Sequence, residues 1–223
     1  MKKLALIAVP MLMAAGAFAQ GTVNFNNNIT GSLRAPVYGV NVNSPTTARN
    51  GNSSAGIPAG AVDYTGSALL VGTGFTAQLW GAVGTGASEG SLAAVATTSF
   101  RTGTAAGFVN TALLPGGQSA VGIPNAPTPG PALQATLQLR AWDNQGGTLT
   151  TWAAALASAM NGVGGVGKST LFNTGTLGGT DTPAASPPNL VGLTSFNLTV
   201  VPEPGVIALG VLGLGALLLR RRK

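Results

Sequence analysis

The chain has no cysteine and no histidine among its 223 residues. Without them it can build neither a Ser-His-Asp nor a Cys-His catalytic arrangement, and no zinc site on sulfur or imidazole. Disulfides, an option for an exported chain of this size, are excluded as well. Charge is scarce: 7% of residues are charged and only five are acidic. What is abundant is glycine (34) and proline (14), with 45% hydrophobic residues in short runs. Disordered chains are typically charged and poor in apolar residues, and this chain is neither. Short apolar runs separated by Gly-, Pro- and Asn-rich turns favour many short strands.

The formal net charge of +6 suggests a nucleic-acid partner until its position is considered. Lys2 and Lys3 lie at one end and Arg220, Arg221, Arg222 and Lys223 at the other. Between Gln20 and Val201 stand Arg34, Arg49, Arg101, Arg140 and Lys168 against Asp63, Glu89, Asp143 and Asp181, a net +1. Five scattered cations make no phosphate-tracking stripe, so no nucleic-acid partner is expected.

Met1-Lys2-Lys3, the apolar stretch Leu4–Ala15 and the small-x-small site Ala17-Phe18-Ala19 have the layout of a secretory signal peptide over 1–19, cleaved after Ala19. The absence of a twin-arginine pair favours general secretion. At the other end, Val201-Pro202-Glu203-Pro204 precedes an apolar run, Gly205–Leu219, and then Arg220–Lys223. Both basic clusters abut apolar segments, where Lys and Arg mark the cytoplasmic side, which places the intervening body outside. Fifteen residues as a helix span about 22 Å, short of the roughly 30 Å hydrocarbon core, which suits a temporary anchor with snorkelling arginines. Pro204 stops a helix at its start and keeps Pro202-Glu203 extended. The plainer reading is an ordinary anchor with a chance Pro-Glu-Pro.

The body, 20–200, alternates in short segments. Candidate strands are 21–26, 37–42, 68–71, 75–80, 92–100, 107–114, 133–142, 169–173 and 193–201, with 43–60 a long loop and 81–90 a flexible connection. The strictest alternation is Leu133–Trp142: Leu133, Ala135, Leu137, Leu139 and Ala141 on one face, and Gln134, Thr136, Gln138, Arg140 and Trp142 on the other. It predicts a half-buried strand. Four prolines in Pro124–Pro131 exclude a central strand there. One helix is expected over Thr151–Met160, capped by Thr150 or Thr151 and ended by Asn161-Gly162. The expected class is all-β: an antiparallel β-sandwich or jelly-roll-like body with one short helix, plus a signal peptide and a single C-terminal transmembrane helix.

Chemistry is thin. Gly162-Val163-Gly164-Gly165-Val166-Gly167-Lys168-Ser169 matches the G-x-x-x-x-G-K-S/T phosphate loop, but that motif follows a strand and opens a helix. Here it follows a helix candidate and runs into a strand candidate, and matches are cheap in a glycine-rich chain. No nucleotide, metal or other cofactor is expected. Glycoside hydrolysis needs two facing carboxylates, and Asp63, Glu89, Asp143 and Asp181 all fall in turn-like sequence where surface carboxylates are ordinary. Asp143-Asn144 offers calcium-type oxygens without the D-x-D-x-D-G spacing. Trp80 and Trp142 fall on the polar faces of their strands, where they would either stack on sugar rings or serve as ordinary core; the second is the commoner use.

The ending resembles the PEP-CTERM sorting signal on Pro202-Glu203-Pro204, the Gly-rich apolar segment and Arg220–Lys223, over 201–223. The motif also carries an ice-binding-protein C-terminal label, which by itself is no evidence of ice binding. The resemblance implies a non-enzymatic exported surface or matrix protein of a biofilm-forming Gram-negative bacterium. Its implied partners are an exosortase-type transpeptidase that cleaves near Pro202-Glu203-Pro204, the inner membrane as a transient anchor, and extracellular polysaccharide as the setting. Two other readings stay open: a carbohydrate-binding module using Trp80 and Trp142, and a secreted hydrolase using two of the four carboxylates.

Overall fold

A computed structural model describes residues 21–126, 133–179 and 185–201. The signal peptide with Ala17 and Ala19, most of the proline-rich segment, Asp181 and the sorting tail with Pro202, Glu203, Pro204 and Arg220–Lys223 lie outside them. No helix among the described residues is long and apolar enough to cross a membrane.

The described chain is all-β in class. In order it forms β1 (Thr22–Asn24), β2 (Asn28–Ile29), β3 (Leu33–Arg34), β4 (Val37–Tyr38), β5 (Phe75–Val83) and β6 (Ala93–Ser99). There follow β7 (Ala120–Gly122), β8 (Ala135–Asp143), helix α1 (Trp152–Met160), β9 (Val166–Lys168), β10 (Phe172–Asn173) and β11 (Phe196–Asn197), with several single 3₁₀ turns between.

The organising unit is an antiparallel sheet in which β8 lies between β5 and an edge shared by β9 and β10, with β6 on the far side of β5. Strands β5 and β8 pair over nine residues, from Phe75 opposite Asp143 to Val83 opposite Ala135. This register puts Ala77, Leu79, Leu137, Leu139 and Ala141 on one face, where all are fully buried. A bulge between Leu79 and Trp80 shifts the β6 register, so Leu79 faces Ala96 while Trp80 faces Ala94. Such a bulge bends an edge strand and sharpens its twist.

The inner face is covered by short ladders: β1 with β7, β2 with β3, and β11 running parallel to β4. Val23, Phe25, Leu33, Val37, Leu190, Leu193, Phe196 and Leu198 join it in one core. A single antiparallel bridge, Val166 to Thr199, carries the chain from the main sheet to the β11–β4 ladder.

Several sequence expectations shift. The 37–42 strand stops at Tyr38. The Asn41 Oδ1 accepts the N–H groups of Asn43 and Ser44, turning the chain just beyond it. Segment 107–114 bridges through Val109 to Phe100 and then tightens into a 3₁₀ turn, where the Asn110 side chain accepts the Ala112 N–H. The 81–90 connection is shorter than expected, since β5 runs to Val83, and it is tied down by Gly86 N–H to Asn173 Oδ1 and Ala87 N–H to Thr136 Oγ1. The 68–71 run makes a bridge from Leu69 to Tyr38. In 169–173 and 193–201 only the two-residue cores β10 and β11 are regular.

The largest correction concerns β8. Its alternation predicts one buried face, yet every residue from Ala135 to Trp142 is buried. The polar face is covered by α1 at Trp142, by Trp80 and Glu89 at Arg140, and by Gly84, Ala87 and Asn173 at Thr136. The helix itself forms as expected: the Thr151 side chain accepts the Ala154 N–H, and Gly162, at φ 73°, takes the left-handed position beyond its end. Ala155 and Ala159 press on Trp142 and Val166 in a second, smaller core.

Candidate functional site

The outer face of the main sheet gathers most of the body's chemistry. Strand register places Arg140 opposite Gln78 on one side and opposite Lys168 on the other. Two cations directly across a ladder repel each other. Glu89, from the turn preceding β6, resolves the conflict. Its Oε1 lies 3.3 Å from Arg140 Nη2 and 2.7 Å from Lys168 Nζ, and its Oε2 lies 2.8 Å from Lys168 Nζ.

The two cations differ in setting. The Arg140 side chain is 6% exposed, whereas those of Lys168 and Glu89 are 46% and 40% exposed. The Arg140 guanidinium sits 3.9 Å from the Trp80 ring centroid and 5.2 Å from that of Trp152. Its Nε donates to Gln138 Oε1, and Gln138 Nε2 donates to the Ser169 carbonyl. Cation–π contact and two charge-assisted bonds thus offset the loss of water around the guanidinium. The Lys168 hydrogen bond is the main influence holding the Glu89 carboxyl below its ordinary pKa, with the Lys168 and Arg140 charges adding to it. Burial pushes the Arg140 pKa down, and Glu89 opposes that shift.

The phosphate-loop match lies in this cluster and has another geometry. Gly162 closes α1, Val166–Lys168 is a strand, and Lys168 is engaged by Glu89. Ser169 is buried, accepting the Leu139 N–H and donating to the Thr170 carbonyl. The order is helix, loop, strand, the reverse of the strand, loop and helix that cradle phosphate.

Trp142, one of the two proposed sugar contacts, is 0% exposed. Its Nε1 donates to the Leu149 carbonyl and its ring meets Trp152 edge-on at 6.1 Å. It has no free face for a sugar, because α1 packs over the side of β8 that alternation assigned to solvent. Trp80 remains half-buried at the cluster's edge, its Nε1 donating to Gln78 Oε1. The aromatic partner that sequence reasoning missed is Trp152, also half-buried. It lies within the helix expected over Thr151–Met160, and nothing local showed that α1 would lie across the sheet next to Arg140.

The described carboxylates are not brought together. Asp143 is three positions along β8 from Arg140 and so points to the opposite face from the Glu89 cluster. Its Oδ1 accepts the Gln145 N–H. Asp63 lies on another surface, in a groove of about 390 Å³ beside Tyr38 and Tyr64, whose rings stack at 3.9 Å. Bonding to Thr65 lowers the Asp63 pKa. The Tyr64 hydroxyl donates to the Gly51 carbonyl, and burial pushes its pKa upward. Asn144, considered with Asp143 for calcium, spends its side chain on Thr73, Thr76 and Gly147. Among the described residues no group of three acidic side chains is placed to hold a metal. The chain matches no protein-family model, no curated protein and no solved structure.

Proposed function

We propose that the chain is an exported cell-surface or extracellular-matrix protein, held at the inner membrane by its tail and sorted by an exosortase-type transpeptidase. The observation that carries this reading is the ordered tail: Pro202-Glu203-Pro204, the apolar segment Gly205–Leu219 and Arg220–Lys223. The described body ends in a compatible way. Val200 donates its N–H to the Pro45 carbonyl, and the tripeptide follows two residues later. The body is taken as a β-sandwich of jelly-roll-like kind, with the main sheet as one layer and the short ladders as the other. Its near-neutral charge fits a matrix component better than a nucleic-acid binder. The test is the intact mass of the protein from its native host. A chain lacking Arg220–Lys223 is expected, and a full-length C-terminus would refute processing.

The carbohydrate-binding reading keeps one specific support. Trp80 and Trp152, both half-buried, flank Arg140 on an outer face that also carries Lys168. Glycan-array binding by the full chain that weakens in both Trp80→Ala and Trp152→Ala would favour it over a purely structural body.

A further inference from the structure

The chain leaves the described body beside its most exposed large apolar side chain. Strand β11 runs parallel to β4, and the alignment continues past both: Leu198 donates to the Tyr38 carbonyl and Val200 to that of Pro45. The Val42 side chain, 79% exposed, stands three residues before Pro45. Two residues before Val42, Val40 lines a largely apolar groove of about 320 Å³ together with Gly39, Phe75, Leu198, Val200 and the Gly164-Gly165 pair, and Asp143 also borders the groove. Val163, 49% exposed, directly precedes that pair. Isolated exposed valines need no explanation, but a largely apolar groove at the chain's exit, bordered by one carboxylate, does.

The tail points to a bilayer as the occupant. Only Pro202, Glu203 and Pro204 separate Val201 from the apolar segment. Three extended residues reach about 10 Å. The polar layer on each side of a bilayer is roughly 5–8 Å thick, taking about 40–45 Å overall against a 30 Å hydrocarbon core. A tether of that length exceeds the layer by only a few ångströms, so it keeps the exit end at or just above the headgroups. The apolar segment is itself short, at about 22 Å, which draws the body further in.

We propose that this end of the body, with Val42, Val163 and the groove rim, lies against the lipid headgroup layer while the tail spans the membrane. The inference rests on the anchored reading of the tail. One cation, Arg49, and two carboxylates, Asp63 and the groove-lining Asp143, lie close to this end; Arg49 donates to Ser44 and its charge acts on Asp63. The contact therefore needs no anionic lipid. It also confines the enzyme that reads Pro202-Glu203-Pro204 to the narrow space between body and bilayer.

Because the chain has no cysteine, single cysteines can be labelled without background. Val42→Cys and Val163→Cys are compared with Thr85→Cys, which is exposed just beyond the far end of β5, roughly 27 Å from Phe75 along the strand. Each full-length variant carries an environment-sensitive fluorophore and is reconstituted in phosphatidylcholine vesicles containing a headgroup-level nitroxide lipid. The expected result is several-fold stronger quenching at residues 42 and 163 than at 85. Equal quenching at the three sites, with the protein co-floating with the vesicles, overturns the docked orientation and leaves the anchor intact. Failure to co-float overturns both. A blue shift at residue 42 without nitroxide quenching also overturns it, and assigns the face to a second copy of the chain.

Discussion

The carboxylate of Glu89 serves two cations whose settings differ, and that difference predicts unequal mutational costs. The Lys168–Glu89 pair is largely solvated, with side chains 46% and 40% exposed. Such pairs contribute about 0–1 kcal/mol. Replacing Lys168 by Met also removes a like charge from directly across the ladder, worth roughly 0.2–1 kcal/mol in the opposite sense. The expected net change for Lys168→Met is therefore within about 0.5 kcal/mol of zero. Glu89→Gln keeps the side-chain shape but leaves the Arg140 charge, 6% exposed, without an anion and still facing Lys168. Removing one partner of a fully buried pair costs about 3–5 kcal/mol, and the partial exposure of Glu89 reduces this to about 2–3. Adding Arg140→Met to Glu89→Gln should recover part of the loss, because an apolar side chain there needs no counter-charge. Urea unfolding of the full chain in mild detergent, followed by tryptophan fluorescence, measures all three. Trp80, Trp142 and Trp152 all lie in the body, so the signal reports body unfolding alone. The pH dependence has a definite sign. Glu89 is depressed in the folded state, so its contribution is complete above its ordinary value of 4.5 and fades as pH falls through the lower folded value. Glu89→Gln should lack that acid-side loss. If Lys168→Met costs as much as Glu89→Gln, or the double variant is no more stable than Glu89→Gln, the reasoning from burial is wrong.

Three further outcomes follow from burial and close approach. Asn27→Ala removes side-chain bonds to Ala35, Gly107 and Val109 in the core, and urea unfolding should show a loss of about 2–4 kcal/mol. Trp142→Ala should cost about 3–5 kcal/mol, with a matching fall in melting temperature and no change in glycan binding that precedes unfolding. At Gly167 an added Cβ would run into the Asn197 carbonyl, so Gly167→Ala should push β11 off β9; hydrogen exchange should quicken at Val166 and Thr199, whose amides bond each other's carbonyls.

The legible parts of the fold were those with a local cause. Strand β8 announces itself by alternation, β5 does so over its first six residues, and α1 is marked by its Thr cap and terminal glycine. The two- and three-residue strands do not, because their pairing is set by partners far along the chain: β1 pairs with β7 and β4 with β11. Burial on both faces of β8 was hidden for the same reason. Arg140 reads as a solvent-facing residue until α1 and Trp80 are brought over it from elsewhere in the chain. The candidate cluster was therefore only half legible. Glu89 and Lys168 were visible as separate residues, each explained by its own turn or motif, and 79 positions apart they gave no sign of forming an ion pair.

The asparagines suggest how a cysteine-free body closes its irregular layer. Asn27, Asn52 and Asn197 are all nearly inaccessible, and each uses its amide as a substitute for a backbone unit. Asn52 donates to the Pro58 carbonyl and accepts the Ser195 N–H, while Asn197 accepts the Arg49 N–H and donates to the Thr47 carbonyl. Together these two join the loop 47–58 to the closing segment around β11, and Asn27 joins the segment before β2 to Val109. A loop layer has backbone groups that no ladder can satisfy, and a buried one left unpaired costs about 1–3 kcal/mol. A side-chain amide carries both a donor and an acceptor, so one residue satisfies two such groups without adding charge. A structural disulfide contributes about 2–5 kcal/mol by restricting the unfolded chain. Three buried asparagines, each making two or three bonds at a net of about 1 kcal/mol per bond, contribute about 8 kcal/mol, on the order of two such bridges, by satisfying the folded one. The scarcity of charge and the abundance of asparagine are then one fact: the body relies on neutral amides where other exported proteins use sulfur bridges or ion pairs, and buries the Arg140 guanidinium where Glu89, Trp80 and Trp152 converge on it.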